Sequence, residues 1–244
     1  ILALTKNLKK SGIAIVTGAK VERIEPGAVV YEKDGAESRV QAEQVLVATG
    51  RKPFSDTSML DQIGISHTKG VIRTDEYMRT NVEGVYAIGD CNGTSMLAHT
   101  ASEEGIVAVE HICGHTGKMD YRYIPQCVYL EPEIAWVGLT EQQARAVEHD
   151  VRIGLFPMGA NGKSVIEAET TGMIKIISDS KHGEILGAHL YCAHATDMIS
   201  EMALAIKKGC CIEDIARCVH PHPTVSEGIV EAANAAIGMA VHIL

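Results

Sequence analysis

Residues 172–191 read GMIKIISDSKHGEILGAHLY. Two strand-length apolar runs, GMIKIIS and EILGAHLY, are joined by the turn DSKHG, so the stretch predicts a pair of neighbouring strands. Working outward, CVYL (127–130), EIAWVG (133–138) and VRIGLF (151–156) read as further short strands. LTEQQARAV (139–147) opens with Thr140 and Gln143 at capping-box spacing, the signature of a helix start. Helices are expected around 196–208 and 225–241, the first apolar nearly all round and therefore buried. Strands mixed with helices in this manner indicate an α+β domain that begins after a boundary near residues 117–122.

The preceding half has a different texture. IAIV (13–16), VERIE (21–25), AVVYE (28–32) and VLVAT (45–49) are strand-length runs, and KDGA supplies a hairpin-type turn because Asp-Gly tolerates positive φ. The almost wholly apolar VLVAT predicts a strand in a buried, parallel sheet. It stops at Gly50, and Pro53 disfavours a helical continuation. Residues 52–79 are polar and turn-rich. GVYAIGD (84–90) predicts another buried strand ending at Gly89-Asp90, followed by the loop CNGTS and a helical segment, MLAHTASEEGIVAVEHICG. Two strand-then-glycine endings fit the rule that open α/β sheets bind ligands at the carboxyl ends of their strands. No repeats or low-complexity tracts interrupt the chain.

Composition bounds the function. With 244 residues, 46% hydrophobic and 22% charged, the chain can bury a core, mostly aliphatic because aromatic residues make up only 4%. A net charge of −9 disfavours a general nucleic-acid or anionic-membrane binder. No apolar run reaches the roughly eighteen residues of a membrane span. The opening ILALTKNLKK lacks a starting Met and a secretory pattern and reads as the middle of a helix, so a fragment is expected. Seven cysteines are scattered without a CxxC pair, which argues against a disulfide framework and for a reducing, cytoplasmic compartment. The vicinal Cys210–Cys211 pair could bridge only through a strained ring.

Three common signatures do not occur: the G-x-G-x-x-G loop, paired cysteines at C-x2-C or C-x4-C spacing, and G-x-S-x-G. Chemistry concentrates instead in VHPHPTVSEG (219–228). His222 precedes Pro223, and X–Pro is the common site of a cis bond, which would aim the imidazole rigidly. Glu227 lies within reach of one ring nitrogen and would raise the basicity of the other, making a base with its orienter. Helix capping explains the same residues, since Thr224 and Glu227 also stand at capping-box spacing. A metal site of Cys218, His220 and His222 is a third reading, opposed by the intervening proline and the lack of a fourth ligand. Asp90, just past a strand, suits a ribitol or ribose hydroxyl as well as it suits a plain turn.

Five motifs occur in order: VLVATGRKP (45–53), TNVEGVYAIGDC (80–91), MLAHTASEEGI (96–106), EPEIAWVGLTEQQA (131–144) and HPHPTVSEG (220–228). Together they resemble the carboxyl-terminal half of the pyridine nucleotide–disulfide oxidoreductase family, and HPHPT with SE points to its lipoamide branch. The resemblance implies an α/β fragment with partial dinucleotide-binding sheets, then an α+β interface domain. Residues 1–51 would be the back of the NAD-binding domain, 52–118 the return segment of the FAD-binding domain, and 119–244 the homodimer interface. Gly50 would lie near the nicotinamide nucleotide, and Val16 near the adenine. Asp90 would bind the ribityl–phosphate region of FAD. Met96, Leu97, Ala98 and His99 would set backbone amides beneath the flavin, where a helix amino end favours negative charge. His222 would deprotonate a thiol of dihydrolipoamide, with Glu227 holding the ring and the partner subunit completing the site.

The implied partner is the lipoyl-bearing protein of a 2-oxo acid dehydrogenase or glycine-cleavage complex; neither nucleic acid nor membrane is expected, nor a metal. The family's redox-active cysteine pair and both Gly-rich loops would lie upstream of Ile1, so the chain alone is not expected to turn over. Two other readings are a related disulfide reductase of the glutathione or mercuric type, and a dimerisation module without catalysis.

Overall fold

Asp34 and Gly35 adopt φ of 52° and 77°, the left-handed pair that a tight two-residue hairpin of the favoured twist requires. They close a hairpin of a small meander in the computed structural model, which describes residues 2–147 and 150–243. Helix α1 (Leu2–Lys10) precedes β1 (Lys20–Glu25), β2 (Ala28–Lys33) and β3 (Ala36–Gln41), an antiparallel sheet in the order β1-β2-β3. Ala28 and Val30 are buried on β2. These elements form the first of two compact units, Ile1–Lys52 and Pro53–Leu244.

Two expectations fail in this unit. IAIV (13–16) and VLVAT (45–49) form no strand, and Leu46 and Val47 are 90% and 65% exposed. An all-apolar strand is stable between two neighbours and under cover, whereas the sheet described here pairs β1, β2 and β3 with one another. The partner of β2 is AESRVQ, a mostly exposed, polar strand that apolar patterning does not reveal.

The second unit begins with α2 (Thr57–Ile63), capped by Asp56, whose carboxylate accepts from the Ser58 and Met59 amides. The two-residue strands β4 (His67–Thr68) and β5 (Val71–Ile72) follow. GVYAIGD forms no regular strand. It runs beside residues 78–80, with one isolated bridge between Arg79 and Tyr86, then enters a single 3-10 turn, Gly89–Asn92. Helix α3 (Ala98–Ile112) comes next.

Beyond it, β6 (Gln126–Val128), β7 (Glu133–Gly138), α4 (Glu141–Val147), β8 (Val151–Pro157), α5 (Gly162–Ile166), β9 (Met173–Asp179) and β10 (Ile185–Cys192) lead to α6 (Ala195–Lys208), α7 (Ile212–Ala216) and α8 (Glu227–Ala236). The strands make one antiparallel sheet ordered β6-β7-β10-β9-β8. The capping box expected at α4 is present: Gln143 N–H donates to Thr140 Oγ1, and Thr140 N–H to Gln143 Oε1.

Register explains the core. Val137, Ala188, Ile176 and Gly154 form one row across four strands, and Ala135, Leu190, Ile174 and Phe156 form the next. Seven of these eight have side chains, and all seven are buried. Ile199 and Met202 of α6 and Ile229, Ala232 and Ala233 of α8 cover that face. On the opposite face Ala144 of α4 packs with Val151 and Ile177. The eighth position explains how α8 is seated. A Cβ on Gly154 would stand 1.9 Å from the Ala232 carbonyl oxygen, and one on Gly228 would stand 2.9 Å from Ile174 Cδ1. One turn of α8, about 6 Å for four residues, therefore spans two rows, about 7 Å along a strand. Glu227, the first residue of α8, is placed by that seating.

The turn between β9 and β10 is organised by Asp179. Its Oδ1 accepts from the Lys181 and His182 amides (2.9 and 2.7 Å) and its Oδ2 from the Glu184 amide (2.7 Å). Burial pushes this carboxyl up, but the three amides outweigh it and hold the group below the usual carboxylate range. Its folded pKa lies below its unfolded one, so its stabilisation is present above the unfolded value and is lost as pH falls through the folded one. Asp179→Ala, which strands three amides, should cost about 2–3 kcal/mol at neutral pH. Thermal unfolding followed by circular dichroism should show the gap between the two proteins closing in acid.

All seven cysteines are free thiols, including Cys210 and Cys211. Among the described residues, no helix is long and apolar enough to cross a membrane.

Candidate functional site

The loop 219–226 delivers two histidines to opposite partners. The His222–Pro223 peptide is cis. His222 Nδ1 lies 2.9 Å from Glu227 Oε1, while Glu227 Oε2 accepts from the Thr224 amide at 2.8 Å. The carboxylate thus orients the ring and receives a backbone amide at once, but Thr224 does not cap the helix: α8 follows Ser226 with no side-chain cap. Thr224 Oγ1 donates to the Pro221 carbonyl (2.7 Å), and buried Asn161 donates from Nδ2 to the Thr224 carbonyl (3.1 Å), so the loop is tied on both sides.

Burial pushes the Glu227 carboxyl up, but the Thr224 amide and His222 outweigh it and leave it below the usual range. An ionised carboxylate only accepts. Neutral His222 must therefore carry its proton on Nδ1 and leave the Nε2 lone pair bare, on a side chain that is 78% exposed.

His220 faces elsewhere. Its side chain is only 7% exposed, and its Nε2 lies 3.0 and 3.1 Å from the two carboxylate oxygens of Glu201 on α6. Glu201 pushes this histidine up, against the opposing effect of burial. The expected alternative of Cys218, His220 and His222 around one ion is therefore not realised, because His222 turns to Glu227. Glu201 stands 19 residues before His220, too far for any local spacing to reveal it.

Asp90 sits exposed in the 3-10 turn before α3. That turn is fastened by Glu104, which is fully buried. Glu104 Oε2 accepts from the Gly89 amide (2.6 Å) and Asn92 Nδ2 (2.9 Å), and Oε1 from the Tyr121 hydroxyl (2.7 Å). Burial and then Glu104 push the Tyr121 phenol up. Sequence reasoning passed over Glu104, although a signal exists: Thr100, Glu104, Val107 and Ala108 are the buried stripe of α3, and a carboxylate within such a stripe requires donors. Glu104→Gln, which turns an amino group toward those donors, should cost about 1–3 kcal/mol, read as a lower denaturant midpoint.

Leu97 is the residue preceding α3, extended at φ −122° and ψ 133°, and no side chain caps this end. The His99 ring bonds the Pro125 carbonyl (2.8 Å), so toward the helix end it offers its amide rather than its imidazole. Met96 and Leu97 thus lead into α3, which opens at Ala98 and His99. Gly50 (φ 92°) and Val16 (47% exposed) belong to the first unit, in irregular chain.

Residues 2–105 match the model described as pyridine nucleotide-disulphide oxidoreductase, and residues 124–233 match the dimerisation domain of the same group. The chain belongs to the pyridine nucleotide-disulphide oxidoreductase family. Curated relatives include the dihydrolipoyl dehydrogenases of Bacillus subtilis, 43% identical over 99% of this chain and 53% of the relative, and of Geobacillus stearothermophilus, 42% identical over 99% and 52%. The chain spans about half the length of the curated relatives it matches. Among solved structures, LpdA of Mycobacterium tuberculosis superposes with a TM-score of 0.83 at 26% identity, over 96% of this chain and 51% of that one. The HOCl-induced flavoprotein disulfide reductase RclA of Escherichia coli gives 0.82 at 25%, over 93% and 53%. These matches give the chain the mixed α/β fold of this family, with the dimerisation-domain model falling on residues 124–233.

Proposed function

We propose that this segment belongs to an oxidoreductase that oxidises dihydrolipoamide with NAD as acceptor, His222 serving as the general base. The observation that carries the reading is the 2.9 Å contact between His222 Nδ1 and Glu227 Oε1, on a histidine side chain that is 78% exposed. A dihydrolipoamide thiol gives its proton to Nε2, and the resulting imidazolium is stabilised through Nδ1–H by Glu227. The thiolate, unlike the thiol, can attack a disulfide sulfur, forming a mixed disulfide and releasing the other sulfur as thiolate. Residues 1–51, 52–118 and 119–244 act on this reading as parts of the NAD, FAD and interface domains, with the lipoyl-bearing subunit of a multienzyme complex as partner. Seven unpaired thiols suit a cytoplasmic setting.

The residues present suit FAD. The start of α3 lacks a side-chain cap. Beside it stands exposed Asp90 on a turn where Gly89 (φ 72°) lets the backbone pass Ala101 closely. Asp90 would hold a ribityl hydroxyl, and the amides of Ala98 and His99 the flavin's electron-rich edge. When bound, the flavin supplies a two-electron relay to the nicotinamide nucleotide. Gly50 and Val16 would lie along that nucleotide. The likeness to RclA favours one second reading, a disulfide reductase with another thiol substrate.

One experiment separates them. This chain is joined to the preceding half of the B. subtilis relative and NAD reduction is followed. Dihydrolipoamide should outperform glutathione as donor; the reverse order would replace the first reading with the second.

A further inference from the structure

We propose that Glu201, Cys218 and His220 form a cation site of the zinc type, independent of the dithiol chemistry assigned to His222. One ligand atom from each of the three residues lies within 4.8 Å of the other two, and the site is empty. In a tetrahedral zinc site, with bonds of about 2.0–2.3 Å, ligand atoms stand roughly 3.3–3.6 Å apart. The trio thus needs to close by little more than about an ångström.

The donors set the class of ion. An imidazole nitrogen and a sulfur beside a carboxylate oxygen suit borderline transition-metal cations, whereas magnesium and calcium take oxygen-only sets. Glu201 and a Cys218 thiolate together balance the charge of a divalent ion. The site is also partly built beforehand: the His220 side chain is 7% exposed and already directs Nε2 at the Glu201 carboxylate, 3.0 Å away. Cys218 is exposed, which gives an ion its entry path and leaves a fourth position for water or an added ligand, as in open zinc sites. Cys218 and His220 lie just before Pro221 and His222, so an ion would fasten the base-bearing loop to α6. It would do so without using His222, whose ring is held by Glu227.

The chain, freed of metal by dialysis against a chelator, is titrated with Zn2+ against a chromophoric competitor and, separately, with Co2+ followed by absorption. One equivalent should bind, and the cobalt form should show a thiolate charge-transfer band. Cys218→Ser should abolish the band and weaken zinc binding by more than the roughly 10–100-fold that loss of a supporting contact costs. Glu201→Gln should weaken binding as well, whereas His222→Gln and Cys113→Ser should leave it unchanged. Cys218 is exposed, so its serine variant should melt with the metal-free parent and remain an interpretable test. Absence of zinc uptake overturns the site, as does uptake at the parent's affinity in Cys218→Ser.

Discussion

His222→Gln, made in the enzyme that joins this chain to the preceding half of the B. subtilis relative, lowers turnover of dihydrolipoamide by roughly 10²–10⁴-fold, the worth of a positioned general base. Glutamine can still donate to Glu227, so the loop keeps its tie, but it offers no nitrogen lone pair to a thiol. The loss should therefore fall on the thiol half-reaction alone. Electron transfer from NADH to a dye, which bypasses the thiol, should survive in the same variant. Raising pH should partly restore the thiol reaction, because more substrate is then thiolate before it binds. Equal loss of both activities would mean that His222 supports the structure rather than the chemistry.

The second large effect concerns packing. Gly154→Ala would set a Cβ 1.9 Å from the Ala232 carbonyl oxygen and 3.0 Å from Ala236 Cβ, so α8 must lift from β8. Overpacking against backbone should cost about 3 kcal/mol, a fall in Tm of roughly 6–12 °C for a unit this size. Gly159→Ala meets nothing within 4 Å and should change stability by less than about 0.5 kcal/mol. Because α8 begins at Glu227, lifting it also loosens the His222 contact. A Gly154→Ala protein that melts with the parent would remove this account of how Glu227 is placed.

The five-stranded sheet was legible because its strand-length apolar runs are set off by signals such as the turn Asp179–Gly183 between β9 and β10 and the capping pair Thr140 and Gln143 after β7. The hairpin at Asp34–Gly35 was legible for the same reason. VLVAT was misread because an apolar run reports that a strand wants burial without saying which strands flank it. β3 escaped because its side chains are mostly exposed and its place rests on backbone pairing with β2. At the site, His222 and Glu227 stood five residues apart and could be paired by eye. Glu201 reaches His220 only because α6 folds over the loop, a contact that no local pattern encodes. Glu104 was readable in principle as a charge within an apolar stripe. What that stripe does not show is that its donors are Gly89, Asn92 and Tyr121.

The most direct measurement is the tautomer of His222, read from long-range proton–nitrogen couplings in the isotope-labelled chain, at a pH where the ring is neutral. An ionised Glu227 at 2.9 Å should keep the proton on Nδ1 and Nε2 bare, and Glu227→Ala should release that preference. A neutral ring found with its proton on Nε2 would have no lone pair facing outward for a thiol, and the assignment of His222 as the base would be wrong.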